Sequence, residues 1–362
     1  MAQAYDAVIA TITVASDASQ VVKTMVKSTT WREGTSGSWL TTDCTLNAST
    51  TYQFRTPLSG MSSNSTAILP NIKASVTVDW DTTATPISTL GNYFMRSYAY
   101  GCSKLTSLSV PDTSGITSVG TYFMSSYADG CSSLTSLSVP DTSKLTSIGD
   151  SFMSYYAYGC SKLTSLSVPD TSGLTSIGNY FMRSYAYGCS KLTSLSVPDT
   201  SGITSVGIYF MRAYAQGCSS LTSLSVPDTS KLTSVGIDFM SSYADGCSSL
   251  TSLSVPDTSR LTSVGDSFMS YYAYGCTSLT SLILPDSTGW FGSYNVSWSV
   301  PSGRLGYLYG YTPDSTSQTA WRALTVSGKT LYTNYIRAED HVLLSTTPVI
   351  GAKYPLPPFR RS

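Results

Sequence analysis

Through the middle of the chain, apolar and polar positions recur in one fixed order. In 105–110, Leu105, Leu108 and Val110 are apolar while Thr106, Ser107 and Ser109 lie between them. That alternation predicts a strand with one face dry and the other wet. Pro111-Asp112-Thr113-Ser114 predicts a turn, because proline presets φ and the aspartate carboxylate accepts backbone N–H groups two residues on. A second short apolar segment, 116–119, ends at Gly120. The period then changes. Phe123, Met124, Tyr127, Ala128 and Cys131 stand at i, i+1, i+4, i+5 and i+8, a spacing that predicts a short helix over 121–129. Five copies open this stretch with a capping residue (Asn92, Thr121, Asp150, Asn179, Asp266), and every copy closes it with glycine before cysteine.

The copies follow one another every 29 residues, as Cys102, Cys131, Cys160, Cys189, Cys218, Cys247 and Cys276 mark. One such unit cannot bury its apolar face alone, so a fixed period of this length predicts a stacked solenoid. The expected fold class is therefore an α/β repeat: a leucine-rich-repeat solenoid of 29-residue units, each a short strand, turn, short segment and short helix. Three parts are expected. Residues 1–72 alternate at Val8, Ala10, Ile12 and Val14 and predict a β-rich N-terminal attachment or capping domain. Residues 73–289 are the solenoid. Residues 290–362 break the period with Trp290, Phe291 and Trp298 and predict a C-terminal cap and extended tail. Residues 74–91 carry Asp79, Trp80 and Asp81 where inward Leu and Val are expected, which reads as the first cap.

The 105–110 strand, Pro111, the following Ile/Leu-Thr-Ser-Val/Ile-Gly and the closing Gly-Cys-Ser resemble the BspA-like leucine-rich repeat family over roughly 73–289. The resemblance implies a curved solenoid on a bacterial or parasite surface that mediates adhesion or partner binding. The unit here is longer than the family's usual one, mainly through the tyrosine-rich segment.

Composition narrows the partners. The 21 basic and 21 acidic residues balance, which argues against nucleic acid or an anionic membrane surface. Only 12% of residues are charged, against about 25% in ordinary globular proteins, and Ser, Thr and Tyr take their place. Such a surface is associated with outward-facing structural or adhesive proteins. No run approaches the roughly 18 apolar residues of a membrane span, so no membrane insertion is expected. Residues 1–20 have no basic leading region and carry Asp6, so no signal peptide is recognised there. The expected location is extracellular-facing, on a cell surface or a virion.

Chemistry is scarce. Stacked cysteines lie about 4.8 Å apart with parallel Cβ vectors, which suits buried free thiols better than disulfides, and no CxxC or histidine partner suggests zinc. The aspartate column from Asp112 to Asp286 reads as turn caps more readily than as calcium ligands. His341 is the one histidine, and Glu33 and Glu339 the only glutamates, so a repeated Ser-His-Asp site is impossible. Glu339-Asp340-His341 reads as a solvated cluster. No cofactor, no metal and no enzymatic activity are expected, and the sequons at Asn47, Asn64 and Asn295 carry little weight.

Comparison among copies is more informative. Inward positions barely change, whereas positions expected on the outer side of the helix do. One column holds Tyr93, Tyr122, Tyr180 and Tyr209, with Ser151, Asp238 and Ser267 in the remaining copies. A second holds Tyr100, Asp129, Tyr158, Tyr187, Gln216, Asp245 and Tyr274. Arg96, Arg183 and Arg212 alternate with Ser125, Ser154, Ser241 and Ser270, and Tyr155 and Tyr271 add further rings. Tyrosine and arginine are favoured on recognition surfaces, so these Tyr, Arg, Asp and Gln residues are the candidate binding set; drift on a solvated face is the other reading. The Thr-Ser pairs of the strand face, from Thr106-Ser107 to Thr280-Ser281, never vary, which suits recent duplication or an ice- or glycan-binding lattice. The expected function is a non-enzymatic binding or adhesion protein, its partner a protein or glycan on a cell surface, with homo-oligomerisation or assembly into a larger particle open. The alternative is a purely structural spacer or scaffold.

Overall fold

A computed structural model describes residues 3–17, 20–22, 29–61, 72–257, 260–279, 281–284, 305–309, 325–326, 329–330 and 335–336. The repeats form a solenoid whose successive layers are hydrogen-bonded on three sides. On the first side, Ser107–Leu108 pairs in parallel with Ser136–Leu137, Ser165–Leu166 with Ser194–Leu195, and Ser223–Leu224 with Ser252–Leu253. These strands are two residues long, but flanking bonds such as Thr135 N–H to Thr106 O (3.0 Å) and Ser138 N–H to Leu108 O (3.1 Å) lengthen the ladder. The second side pairs Ser118–Val119 with Ser147–Ile148, Ser176–Ile177 with Ser205–Val206, and Ser234–Val235 with Ser263–Val264. Every pairing joins positions one 29-residue period apart.

The third side corrects the predicted helix. The only α-helix among the described residues is Leu58–Met61, outside the repeats. In 121–131, Tyr122, Met124 and Ser126 adopt positive φ of 60°, 48° and 54°, so the segment runs as a ribbon with alternate residues in the left-handed region. Alternate N–H groups leave the segment, while those of Ser125, Asp129 and Cys131 donate three residues back within it. Those of Tyr122, Ser126, Ala128 and Gly130 donate to Asp150, Ser154, Tyr156 and Tyr158 of the next layer at 2.7 to 2.9 Å, and Met124 N–H donates back to Phe94 O at 2.8 Å. An α-helix would spend these donors inside its own turn and leave this side of the stack without a ladder. Left-handed backbone costs a side-chain-bearing residue about 1–2 kcal/mol, and the bonds and burial between layers offset it. The helical stripe arose because adjacent pairs, Phe123-Met124 and Tyr127-Ala128, all turn into the core, where each is fully buried. The predicted helix caps are corrected with it: Asn92, Asp150 and Asn179 accept the N–H of Thr121, Asn179 and Ile208 one layer on, at 2.8 to 3.0 Å.

Each core residue packs on its own copy. The buried tyrosines stack at 5.3 to 5.6 Å, as in Tyr127–Tyr156 and Tyr185–Tyr214, and the phenylalanines do likewise. From Tyr127 to Tyr272 each hydroxyl crosses the core to a carbonyl beside the first ladder, Tyr185 to Ser167 and Tyr214 to Ser196, both at 2.7 Å. The column cysteines are buried free thiols. Those from Cys131 to Cys276 each donate to an alanine carbonyl of the preceding layer, for example Cys160 to Ala128 at 3.1 Å. Burial pushes the thiols from Cys160 to Cys276 up, Cys276 to about 12. At the turns, Asp170 and Asp199 accept the N–H of Ser172 and Ser201 at 2.9 Å, so these carboxylates cap turns.

The leading strands merge with the first ladder. Ala7–Val14 is antiparallel to both Thr51–Pro57 and Ala74–Trp80, Thr30–Glu33 pairs with Thr51–Pro57, and Ala74–Trp80 pairs in parallel with Ser107–Leu108. Here the step is longer, Ser107 facing Ser75 and Leu108 facing Val76. The inward positions are thus held by Val76 and Val78, which corrects the expectation that Asp79, Trp80 and Asp81 stand where inward Leu and Val belong. Asp79 is exposed, Trp80 stacks on Phe94 at 5.9 Å, and buried Asp81 pairs with Arg55. Beyond the repeats, Ser281–Leu284 pairs with Leu305–Tyr309, which pairs with Tyr335–Ile336. The cap expected from Trp290, Phe291 and Trp298, the tail, Asn64, Asn295, Asp286 and the Glu339-Asp340-His341 cluster lie outside the described residues.

Candidate binding face

The ribbon side carries the candidate binding residues, and layer stacking brings them together as ladders. Tyr93 stacks on Tyr122 at 5.2 Å, Tyr180 on Tyr209 at 4.9 Å, and Tyr158 on Tyr187 at 4.4 Å, all within 13° of parallel. Tyr155 meets Tyr158 and Tyr271 meets Tyr274 at tilted or edge-on angles. Tyr100, Tyr271 and Tyr274 are the most open, at 51%, 50% and 44% exposure. Tyr93, Tyr122, Tyr155, Tyr158, Tyr180, Tyr187, Tyr209, Asp129, Gln216 and Asp245 are half-buried.

The arginine column is not uniformly outward. Where serine occupies it the side chain is buried: Ser125, Ser154, Ser241 and Ser270 are 3% to 6% exposed, and Ser125 Oγ lies 2.9 Å from Ser154 Oγ. This corrects the expectation that the whole column faces solvent, and the reason is the ribbon, which turns this position towards the neighbouring layer. Arginine is too long for that slot, so its guanidinium lies over the rings. Arg96 lies 4.5 Å from the Tyr122 centroid and 5.6 Å from Tyr93; Arg183 lies 5.2 Å from Tyr155 and Tyr209 and 5.8 Å from Tyr180; Arg212 lies 5.8 Å from Tyr209. These are cation–π distances. Arg212 also reaches Asp238 at 3.6 Å, a residue outside the predicted set. A signal in the chain points to this coupling: tyrosine stands three residues before each of Arg96, Arg183 and Arg212, whereas Ser154, Ser241 and Ser270 follow Ser151, Asp238 and Ser267, and only Ser125 also follows a tyrosine, Tyr122, which instead takes Arg96.

Electrostatics differ along the second column. Burial raises the Asp129 carboxyl to about 6. Burial also raises Asp245, opposed by the hydrogen bond from Gln216 Nε2 at 2.7 Å. Tyr158 is raised chiefly by burial, then by Tyr187 and Asp129. Among the described residues, no three His, Cys, Asp or Glu side chains gather as a metal centre requires.

The opposite, strand side holds a shallow groove of about 1030 Å³ that sequence reading missed as a shape. Rows of serine, Ser165, Ser194, Ser223 and Ser252 on one edge and Ser167, Ser196, Ser225 and Ser254 on the other, flank the ladder from Leu166 to Leu253.

A family model for the BspA type leucine rich repeat region matches residues 93–299 in six copies, more than half the chain. The chain belongs to the BspA-type leucine-rich-repeat family. Leucine-rich-repeat proteins are generally non-enzymatic binding proteins, and a binding or adhesion role fits this one. BspA-type repeats are usually surface-associated. Among the described residues no helix is long and apolar enough to cross a membrane. No curated protein and no solved structure matches the chain.

Proposed function

We propose that this BspA-type protein is a non-enzymatic adhesion protein displayed on an extracellular surface, a cell envelope or a phage particle, and that it binds through the ribbon side of its solenoid. The observation that carries the reading is the contrast between sides. The Phe, Met, Tyr, Ala and Cys core columns are invariant and buried, while the ribbon presents Tyr, Arg, Asp and Gln that change from layer to layer on a backbone held by ladders. Rigid aromatic side chains give contact area at low entropy cost, and Tyr and Arg dominate binding hot spots. In this reading the leading β-rich part and the trailing part cap the stack and attach it to its carrier. Tyr155, Tyr158, Tyr187 and Arg183 form the central patch. The test replaces these four by serine and measures attachment of the protein to cells or particles. Loss of attachment with an unchanged melting temperature supports the reading; unchanged attachment removes it and leaves a stiff spacer.

A further inference from the structure

Arg183 and Arg212 occupy the same ribbon position in adjacent layers, their backbones locked by Ser184 N–H to Arg212 O (2.8 Å) and Tyr155 N–H to Arg183 O (2.7 Å). Both guanidinium groups lie against one ring, Tyr209, at 5.2 and 5.8 Å. Like charges facing each other across neighbouring strands repel. The ion pairs of the described residues give this pair one carboxylate, Asp238, and it reaches only Arg212, at a distance too long for a hydrogen bond. Arg183 Nε and Arg212 Nε are sealed from solvent without a hydrogen-bond partner. Both residues nevertheless remain part-exposed, the Arg212 side chain at 35%. With Nε sealed, the Nη edges are the donor set left for an incoming acceptor. The patch therefore holds two preorganised, partly desolvated cations and one anion.

We propose that Arg183 and Arg212 form a paired-guanidinium site for a carboxylate side chain of an acidic protein partner. A carboxylate matches the guanidinium fork in shape and charge, and it supplies the missing negative charge. The ring geometry favours a polypeptide over a uronic-acid glycan. Tyr180 and Tyr209, like Tyr158 and Tyr187, stack on each other at 4.9 and 4.4 Å, so the faces on which a pyranose ring stacks are largely occupied. What they leave open is edges and hydroxyls, which suit hydrogen bonding to peptide groups. This site rests on the ribbon-side reading above and names the chemistry of its partner.

The probes are poly-L-glutamate and polygalacturonate, titrated against the full chain by calorimetry at low and physiological salt. The expected result is binding of poly-L-glutamate that weakens with salt, falls roughly tenfold or more in R183Q, and is only partly kept in R183K, which retains charge but loses the planar fork. K191Q removes the same charge from an exposed position on another part of the layer and leaves binding unchanged. Melting temperatures of all variants establish that they fold. Equal affinity of wild type and R183Q, equal losses in K191Q and R183Q, no binding of poly-L-glutamate, or polygalacturonate bound at least as tightly would each overturn the proposal. If it falls while the serine variants above still abolish attachment, the ribbon side remains the binding face and only the acidic partner is lost.

Discussion

Gly149 tests the stacking directly. It ends the second ladder strand of its layer, and its N–H donates to Val119 O of the preceding layer at 3.0 Å. A Cβ at this position would lie 2.5 Å from Thr121 N and 2.6 Å from Gly120 C. Both are backbone atoms of the layer before, so no side chain can swing aside and the layers themselves must separate. Overpacking of this kind costs about 1–3 kcal/mol, and the weakened ladder bond about 0.5–1.5 more, so Gly149→Ala is expected to lose about 1.5–4.5 kcal/mol. Gly130 is the comparison. It needs positive φ, 78°, but its Cβ would meet Gly101 Cα at an ordinary 3.4 Å, so Gly130→Ala carries only the left-handed penalty of about 1–2 kcal/mol. Urea denaturation followed by circular dichroism orders the two. If Gly149→Ala proves no more destabilising than Gly130→Ala, close approach between layers is not what fixes the glycine column, and the stacking geometry is wrong.

Tyr214→Phe removes the hydroxyl that reaches Ser196 O and is expected to cost about 0.5–1.5 kcal/mol in the same assay without altering attachment. The far-UV spectrum should show little helix, because the seven ribbons bond between layers; a helical signal scaled to seven ten-residue segments would contradict the ribbon. Burial raises Asp129 to about 6, so between the ordinary carboxylate range and that value the folded state holds a proton that the unfolded chain has released. Stability therefore falls as pH rises through this window, and Asp129→Asn should flatten that part of the pH–stability curve; an identical curve for the variant would contradict it. The column thiols, buried and raised, should resist a thiol-reactive dye until the solenoid unfolds, and rapid labelling of the native protein would count against their placement.

The period, the strand at 105–110, the turn aspartates and the buried cysteine column were legible in the chain because each depends on local alternation or on simple repetition. The third side was not. Phe123-Met124 and Tyr127-Ala128 satisfy a helical stripe and an alternating left- and right-handed ribbon equally well, and what separates them is where the N–H groups go. That is decided by acceptors 28 residues away, such as Asp150 O for Tyr122, which no local window contains. The buried serine column was missed for the same reason. Ser125 reads as polar and therefore outward, yet its hydroxyl finds Ser154 in the next layer. The register shift at Ser75 was hidden because Val76 and Val78 alternate as any strand does.

Stacking each residue on its own copy also explains why the face varies in a correlated way. A change at Tyr156 or Phe152 would disturb the rings above and below it, since both neighbours are the same residue at 5.3 to 5.8 Å. The aromatic core columns therefore move together or not at all. The arginine column escapes this constraint because serine, filling the slot, needs only another hydroxyl, whereas arginine leaves the slot and needs a ring to lie on. Tyrosine three residues earlier supplies it in each of the three arginine layers, Tyr209 takes Arg183 from the adjoining layer as well as its own Arg212, and Tyr122 takes Arg96 from the layer before. A layer can thus exchange Ser-x-x-Ser for Tyr-x-x-Arg without touching the core, and each exchange converts a flat stretch of the ribbon into a charged, aromatic one. The chain at 179–189 and 208–218 carries two such exchanges in succession, which sets two guanidinium groups against the one ring of Tyr209 at the centre of the ribbon.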